Sequence, residues 1–83
     1  MSNDWLTYFS EAVIIKMTTG KIIRVPSGVF TTLDYKNYHE RDPNYARIYL
    51  HVNDVRTKVV CEDQESFKTN WSRLKKAIYG DFD

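Results

Sequence analysis

The stretch from Ala46 to Tyr79 constrains this chain most, because it reads as strand, two-residue turn, strand and capped helix with scarcely a residue out of pattern. Ala46, Ile48, Leu50 and Val52 alternate with Arg47, Tyr49 and His51, the signature of a strand with one buried face. Asn53-Asp54 supplies the turn. Val55, Thr57, Val59 and Cys61 then fall inward, with Arg56, Lys58 and Val60 outward. Counting back from the turn pairs Val52 with Val55, His51 with Arg56, Tyr49 with Lys58 and Arg47 with Val60. Both apolar sets land on one face in this register, and a slip of one residue would turn one of them to solvent.

Asp63 is placed to cap the following helix, with Gln64 and Glu65 in its first turn. Phe67, Trp71, Leu74 and Ile78 recur at i, i+4, i+7 and i+11, with Ala77 beside them, a narrow apolar stripe expected to lie on the inward sheet face. Arg73, Lys75 and Lys76 suit the negative C-terminal end, and Gly80 is placed to stop the helix.

Upstream, Val13 to Val25 predicts a hairpin closed by a three-residue loop, Thr18-Thr19-Gly20, with glycine in the left-handed position. That register pairs Val13 with Val25, Ile15 with Ile23 and Met17 with Lys21 on one face, and Ile14 with Arg24 and Lys16 with Ile22 on the other. Neither face is fully polar, so the hairpin is expected at the centre of the sheet or covered on both sides. Pro26-Ser27-Gly28 breaks it, and Val29 to Leu33 reads as a third strand. Ser2 to Phe9 reads as a short helix: Ser2 or Asn3 caps it, and Trp5, Tyr8 and Phe9 share one side. Asp34 to Asn44 is a long polar segment ending in Asp-Pro-Asn, read as a loop of a length that favours a role in binding.

The expectation is therefore a single small α+β domain over residues 1–83. It comprises an antiparallel sheet of four to five strands, the C-terminal helix packed on one face and a short N-terminal helix. The expected core is Val13, Ile15, Ile23, Val25, Ile48, Leu50, Val52, Val59, Phe67, Trp71, Leu74 and Ile78. So small a domain must bury most of its aromatic rings to be stable.

Composition narrows the function classes. Twelve Lys and Arg against eleven acids give a net charge of +1, so any polyanion partner must be argued from local clustering. The single cysteine, Cys61, excludes an internal disulfide and a cysteine-based zinc site, and its place in a strand fits a buried thiol. No apolar run approaches the ~20 residues of a membrane span. The first residues lack the basic and apolar regions of a signal peptide, so a cytoplasmic, non-membrane protein is expected. Phosphate-loop, nucleophile-elbow and HExxH patterns do not occur. Asp34, His39, Glu40 and Asp42 are too ordinary in a polar loop to define a metal or acid–base site. The expectation is no catalysis, no metal and no cofactor.

Two surfaces remain. Arg47, Tyr49, His51, Arg56 and Lys58 should share one outer sheet face, where cations interleaved with a ring suit a phosphate backbone and a stacked base. A solvated antiparallel face carries the same residue types. Tyr35, Tyr38 and Tyr45 lie in or beside the polar segment, and tyrosine gives large contact area for little lost rotamer freedom. They serve either protein recognition or cover for the small core.

Ile14-Ile-Lys-Met-Thr-Thr-Gly20 and Gly28-Val-Phe-Thr-Thr-Leu-Asp34, followed by Asn37, together resemble the first motif of Sm-like RNA-binding proteins. The resemblance implies a small bent-sheet barrel that binds nucleic acid, with Asn37 near the family's RNA-contacting asparagine. The spacing between the glycines is longer than that family's, and its second motif has no counterpart between Tyr45 and Cys61. The leading expectation is a non-catalytic protein-interaction or assembly module acting through the tyrosine-bearing segment, an exposed sheet edge or self-association. Such compact chains are common among viral and mobile-element accessory proteins. The alternative is a small nucleic-acid-binding domain using the outer face of the second hairpin.

Overall fold

The computed structural model describes residues 4–37 and 46–80. Strands β1 (Leu6–Tyr8), β2 (Ala12–Lys16) and β3 (Ile22–Pro26) form one antiparallel sheet in the order β1-β2-β3. Strands β4 (Thr31–Asn37), β5 (Ala46–Val52) and β6 (Val55–Cys61) form a second, in the order β4-β5-β6, and helix α1 (Gln64–Tyr79) follows. The α+β class holds, but the expected single sheet of four to five strands is replaced by two separate three-stranded sheets.

Both hairpins adopt the registers that alternation predicts. Val13 faces Val25 and Ile15 faces Ile23 in the first, and the Met17 N–H donates to the Lys21 carbonyl at 2.8 Å to close the loop. Gly20 takes the left-handed φ of +93° that the loop requires. In the second hairpin Val52 faces Val55, Tyr49 faces Lys58 and Arg47 faces Val60.

Three expectations are corrected. The segment Ser2 to Phe9 is not a helix: Leu6, Thr7 and Tyr8 pair with Ile15, Ile14 and Val13 as strand β1. Eight residues are too few to hold a helix alone, whereas β2 offers a ladder to a segment rich in β-favouring Trp, Thr, Tyr and Phe. The strand expected at Val29 to Leu33 begins at Thr31 and runs on to Asn37, through the start of the supposed polar loop. Thr32, Asp34 and Lys36 alternate with Leu33 and Tyr35, so the polar residues mark an outer face. Residues 38–45 lie outside the described residues. Finally, the first hairpin is not enclosed on both sides, because β3 is a sheet edge and Ile22 is 64% exposed.

One core joins the layers. Ile15, Met17, Ile23 and Val25 come from the first hairpin, and Ala46, Ile48, Leu50, Val59 and Cys61 from the second sheet. Leu74 enters from the helix, while Val13, Val52, Phe67, Trp71 and Ile78 are partly buried around that centre. The chain passes from one sheet to the other after Pro26, through Gly28 at φ +76°.

The helix starts where its capping chemistry places it. Ser66 N–H donates to the Asp63 carboxylate at 2.8 Å, and Asp63 N–H donates to Ser66 Oγ at 3.3 Å, a reciprocal capping box. It ends at Gly80, φ +70°, whose N–H returns to the Lys76 carbonyl. Asn70, flanking the apolar stripe, is fully buried. Its Oδ1 accepts the Thr18 N–H at 2.9 Å and its Nδ2 donates to Thr18 Oγ1 at 3.0 Å, tying the helix to the first hairpin loop. Arg73 adds a second tie by donating to the Lys16 carbonyl at 2.8 Å, with its guanidinium 5.4 Å from the Trp5 ring centre.

Candidate functional site

Strand pairing brings the five predicted basic and aromatic residues together on the outer face of the second sheet. Across the three strands the rows are Thr32–His51–Arg56, Asp34–Tyr49–Lys58 and Lys36–Arg47–Val60. The pairing of β4 adds Lys36 to the cations and sets Asp34, an acid, directly opposite Tyr49. Arg56 and Lys58 are exposed, and Arg47, Tyr49 and His51 are half-buried. The Arg56 guanidinium lies 5.0 Å from the centre of the Tyr49 ring, a cation–π contact that covers part of the surface a base would stack on.

The tyrosines distribute differently. Tyr35 is in β4 opposite Ile48, on the inward side of the sheet. Its ring meets Trp71 edge-on at 5.0 Å and Phe67 at 5.3 Å, so part of it covers the helix stripe while 46% of the residue stays exposed. Tyr38 and Tyr45, with His39, Glu40 and Asp42, lie outside the described residues.

Sequence reasoning did not find a groove of about 570 Å³ between β3 and the β5–β6 hairpin. Ile22, Ile23 and Pro26 form one wall, and Val52, Val55 and Thr57 the other. Ile22 and Val55 are each 64% exposed, high for aliphatic side chains facing one depression. Lys21 and Arg24 also line it, and no acid does among the described residues. Lys21 Nζ donates to the Lys58 carbonyl at 3.2 Å, closing the groove at that end. Pro26 and Val29 continue into a smaller cleft of about 320 Å³ beside Phe30, which is 81% exposed. The signal was present but non-local: Ile22 faces outward opposite Lys16, and only the tertiary fold sets it near Val55.

Burial pushes the Cys61 thiol above its ordinary pKa, and the nearby Asp63 carboxylate adds to this, against a lowering contact from Asn70. A thiol so placed stays protonated at neutral pH. No three His, Cys, Asp or Glu side chains among the described residues are grouped to hold a metal ion. No described helix is long and apolar enough to cross a membrane.

Comparison with protein-family models, with curated proteins and with solved structures yields no match. The two segments that resemble the first Sm-like motif fall in different sheets, residues 14–20 with β2 and its turn and residues 31–34 in β4.

Proposed function

We propose that this chain is a non-catalytic protein-interaction module that receives a polypeptide segment in the groove between β3 and the β5–β6 hairpin. The observation that carries this reading is the pair Ile22 and Val55, both largely exposed, converging on an apolar depression beside a free sheet edge. Exposed aliphatic surface concentrated in one groove is the usual mark of a recognition site. A free edge adds main-chain hydrogen bonds that any extended peptide can use. A buried, unpaired Cys61 fits a reducing compartment such as the cytoplasm.

Selection from a displayed library of random peptides tests this reading directly. Peptides should be enriched by the parent chain and lost with Val55→Glu, which places a charge in the groove without disturbing the buried core. Absence of enrichment, or enrichment indifferent to Val55→Glu, refutes it.

A second reading, nucleic-acid binding through the outer face of β5 and β6, is favoured by Lys36 joining Arg47, Arg56 and Lys58 on that face. Asp34 and the Arg56–Tyr49 contact weigh against it. Binding of a single-stranded RNA oligonucleotide should then fall steeply between about 50 and 200 mM salt and collapse in an Arg47/Arg56/Lys58 triple alanine variant. Indifference to that variant ends the idea.

A further inference from the structure

The occupant of the groove is specified by the backbone of β3. Met17 N–H donates to the Lys21 carbonyl, and at the other end Ser27 N–H donates to the Glu11 carbonyl at 2.9 Å. Antiparallel rows alternate between hydrogen-bonded and open pairs. With Ile15–Ile23 and Val13–Val25 between those ends, residues 21, 23, 25 and 27 turn their backbone groups toward β2. Ile22 and Arg24 turn theirs away, and among the described residues nothing pairs with them. Pro26 holds the next outward position and has no N–H, so the edge offers donors at Ile22 and Arg24 alone.

Two of the other described edges, β4 and β6, are partly closed, and the third, β1, is only three residues long. On β4 the Leu33 N–H donates to the Tyr79 hydroxyl at 3.3 Å, and on β6 the Lys58 carbonyl accepts from Lys21. A second copy of this chain fits β3 poorly, because every antiparallel β3–β3 register that pairs Arg24 within the strand sets the two Arg24 side chains opposite or diagonal to one another, where like charges repel. An acid in that position is instead attracted to Arg24, in a groove whose described lining holds two cations and no acid.

We propose that β3 accepts an acid-bearing extended segment of another protein as an added antiparallel strand, an inference that rests on the protein-binding role proposed above. Strand geometry fixes the order of its side chains. The residue opposite Arg24 is an acid on the outer face. The next, opposite Ile23, points inward over Val52 and Val55 and is apolar. The third, opposite Ile22, is apolar on the outer face. Read from N- to C-terminus, the segment is acid–apolar–apolar.

The test titrates the ¹⁵N-labelled chain with an end-blocked peptide Thr-Glu-Val-Ile-Thr and with the same peptide carrying Lys in place of Glu. The Glu peptide should shift the Ile22 and Arg24 amide resonances and slow their exchange with solvent. The Lys peptide should bind roughly five- to tenfold more weakly, as cross-strand attraction becomes repulsion, and Arg24→Glu should invert that order. Ile22→Pro removes one outward N–H, leaves the β2–β3 ladder intact and should abolish the shifts while the rest of the spectrum persists. Equal binding of both peptides overturns the acid preference and leaves the protein-binding role standing. No binding by either peptide, together with no enrichment from the displayed library, overturns both. Shifts confined to other strands, or a concentration-dependent dimer dissolved by Ile22→Pro, overturn the assignment of this edge to an acidic partner.

Discussion

Replacing Asn70 by alanine tests the link between the helix and the first hairpin more sharply than any core deletion. Asn70 is fully buried, and its amide makes two good hydrogen bonds with Thr18, at 2.9 and 3.0 Å, besides a weak 3.8 Å contact from Nδ2 to Cys61 Sγ. Each such bond is worth about 1 kcal/mol net, and orphaning the Thr18 N–H adds about 1 kcal/mol more. Alanine returns about 0.6 kcal/mol of helix propensity. The net loss is about 2–3 kcal/mol, against a total stability of roughly 4–12 kcal/mol for a chain of this length. For a domain of this size that lowers the melting temperature by roughly 10–20 °C. The readouts are a thermal melt and amide exchange at Thr18, which should accelerate beyond the change in global stability. Asn70→Asp separates lost hydrogen bonds from packing. A carboxyl buried there has its pKa raised above the unfolded value, so its penalty is largest at neutral pH. That penalty shrinks as pH falls through the folded pKa, when the introduced group gains its proton. A melting temperature for Asn70→Ala within about 3 °C of the parent, a shift worth well under 1 kcal/mol, would refute the reasoning.

The remaining predictions concern packing, the helix cap and the thiol. Leu74→Ala empties the centre of the core, where Leu74 is fully buried, and should cost about 3–4 kcal/mol by denaturant titration, near the middle of the range for such deletions. Trp71→Ala opens a half-buried stack with Phe67 at 6.0 Å and should cost about 3 kcal/mol, the lower end for a Trp deletion. The Ser66 hydrogen bonds hold the Asp63 carboxyl below its usual pKa. Its contribution is therefore complete above the unfolded value of about 3.9 and is lost as pH falls from there through the folded value. Asp63→Asn should flatten the acid limb of a pH–stability profile, and an unchanged limb would place that limb elsewhere. Cys61 should react with a thiol reagent only as fast as the chain opens, and faster in Asn70→Ala.

Where the fold follows from neighbours in sequence, it was legible. The alternation on both sides of Asn53-Asp54 fixed the second register, and the Asp63 cap with Gly80 fixed the helix, because turn chemistry and capping act over a few residues. The first hairpin was legible for the same reason, down to the three-residue loop. Residues Ser2 to Phe9 were not, since Trp5, Tyr8 and Phe9 share one side of a helix yet β2 supplies a ladder that no local pattern announces. The extent of β4 was hidden because Asp34 and Lys36 look like loop residues until β5 shows them to be an outer face. Asn70 is itself a local signal: a polar residue beside Phe67, Trp71 and Leu74 on one helical stripe calls for a buried partner. The groove had no local signal, since Ile22 and Val55 belong to different sheets.

The openness of β3 is better understood as selectivity than as exposure. Sheet edges invite any strand, and chains commonly defend them with proline, lysine and short length. Here Pro26 removes a donor, five residues limit the ladder, and Arg24 stands on the face where a newcomer's side chain must lie. Each defence weakens promiscuous pairing, including pairing with a second copy. Only Arg24 can be turned from a barrier into an attraction, by a partner that brings an acid to it. On the proposed reading the same residue discourages aggregation and selects an occupant, so reversing its sign tests both roles at once.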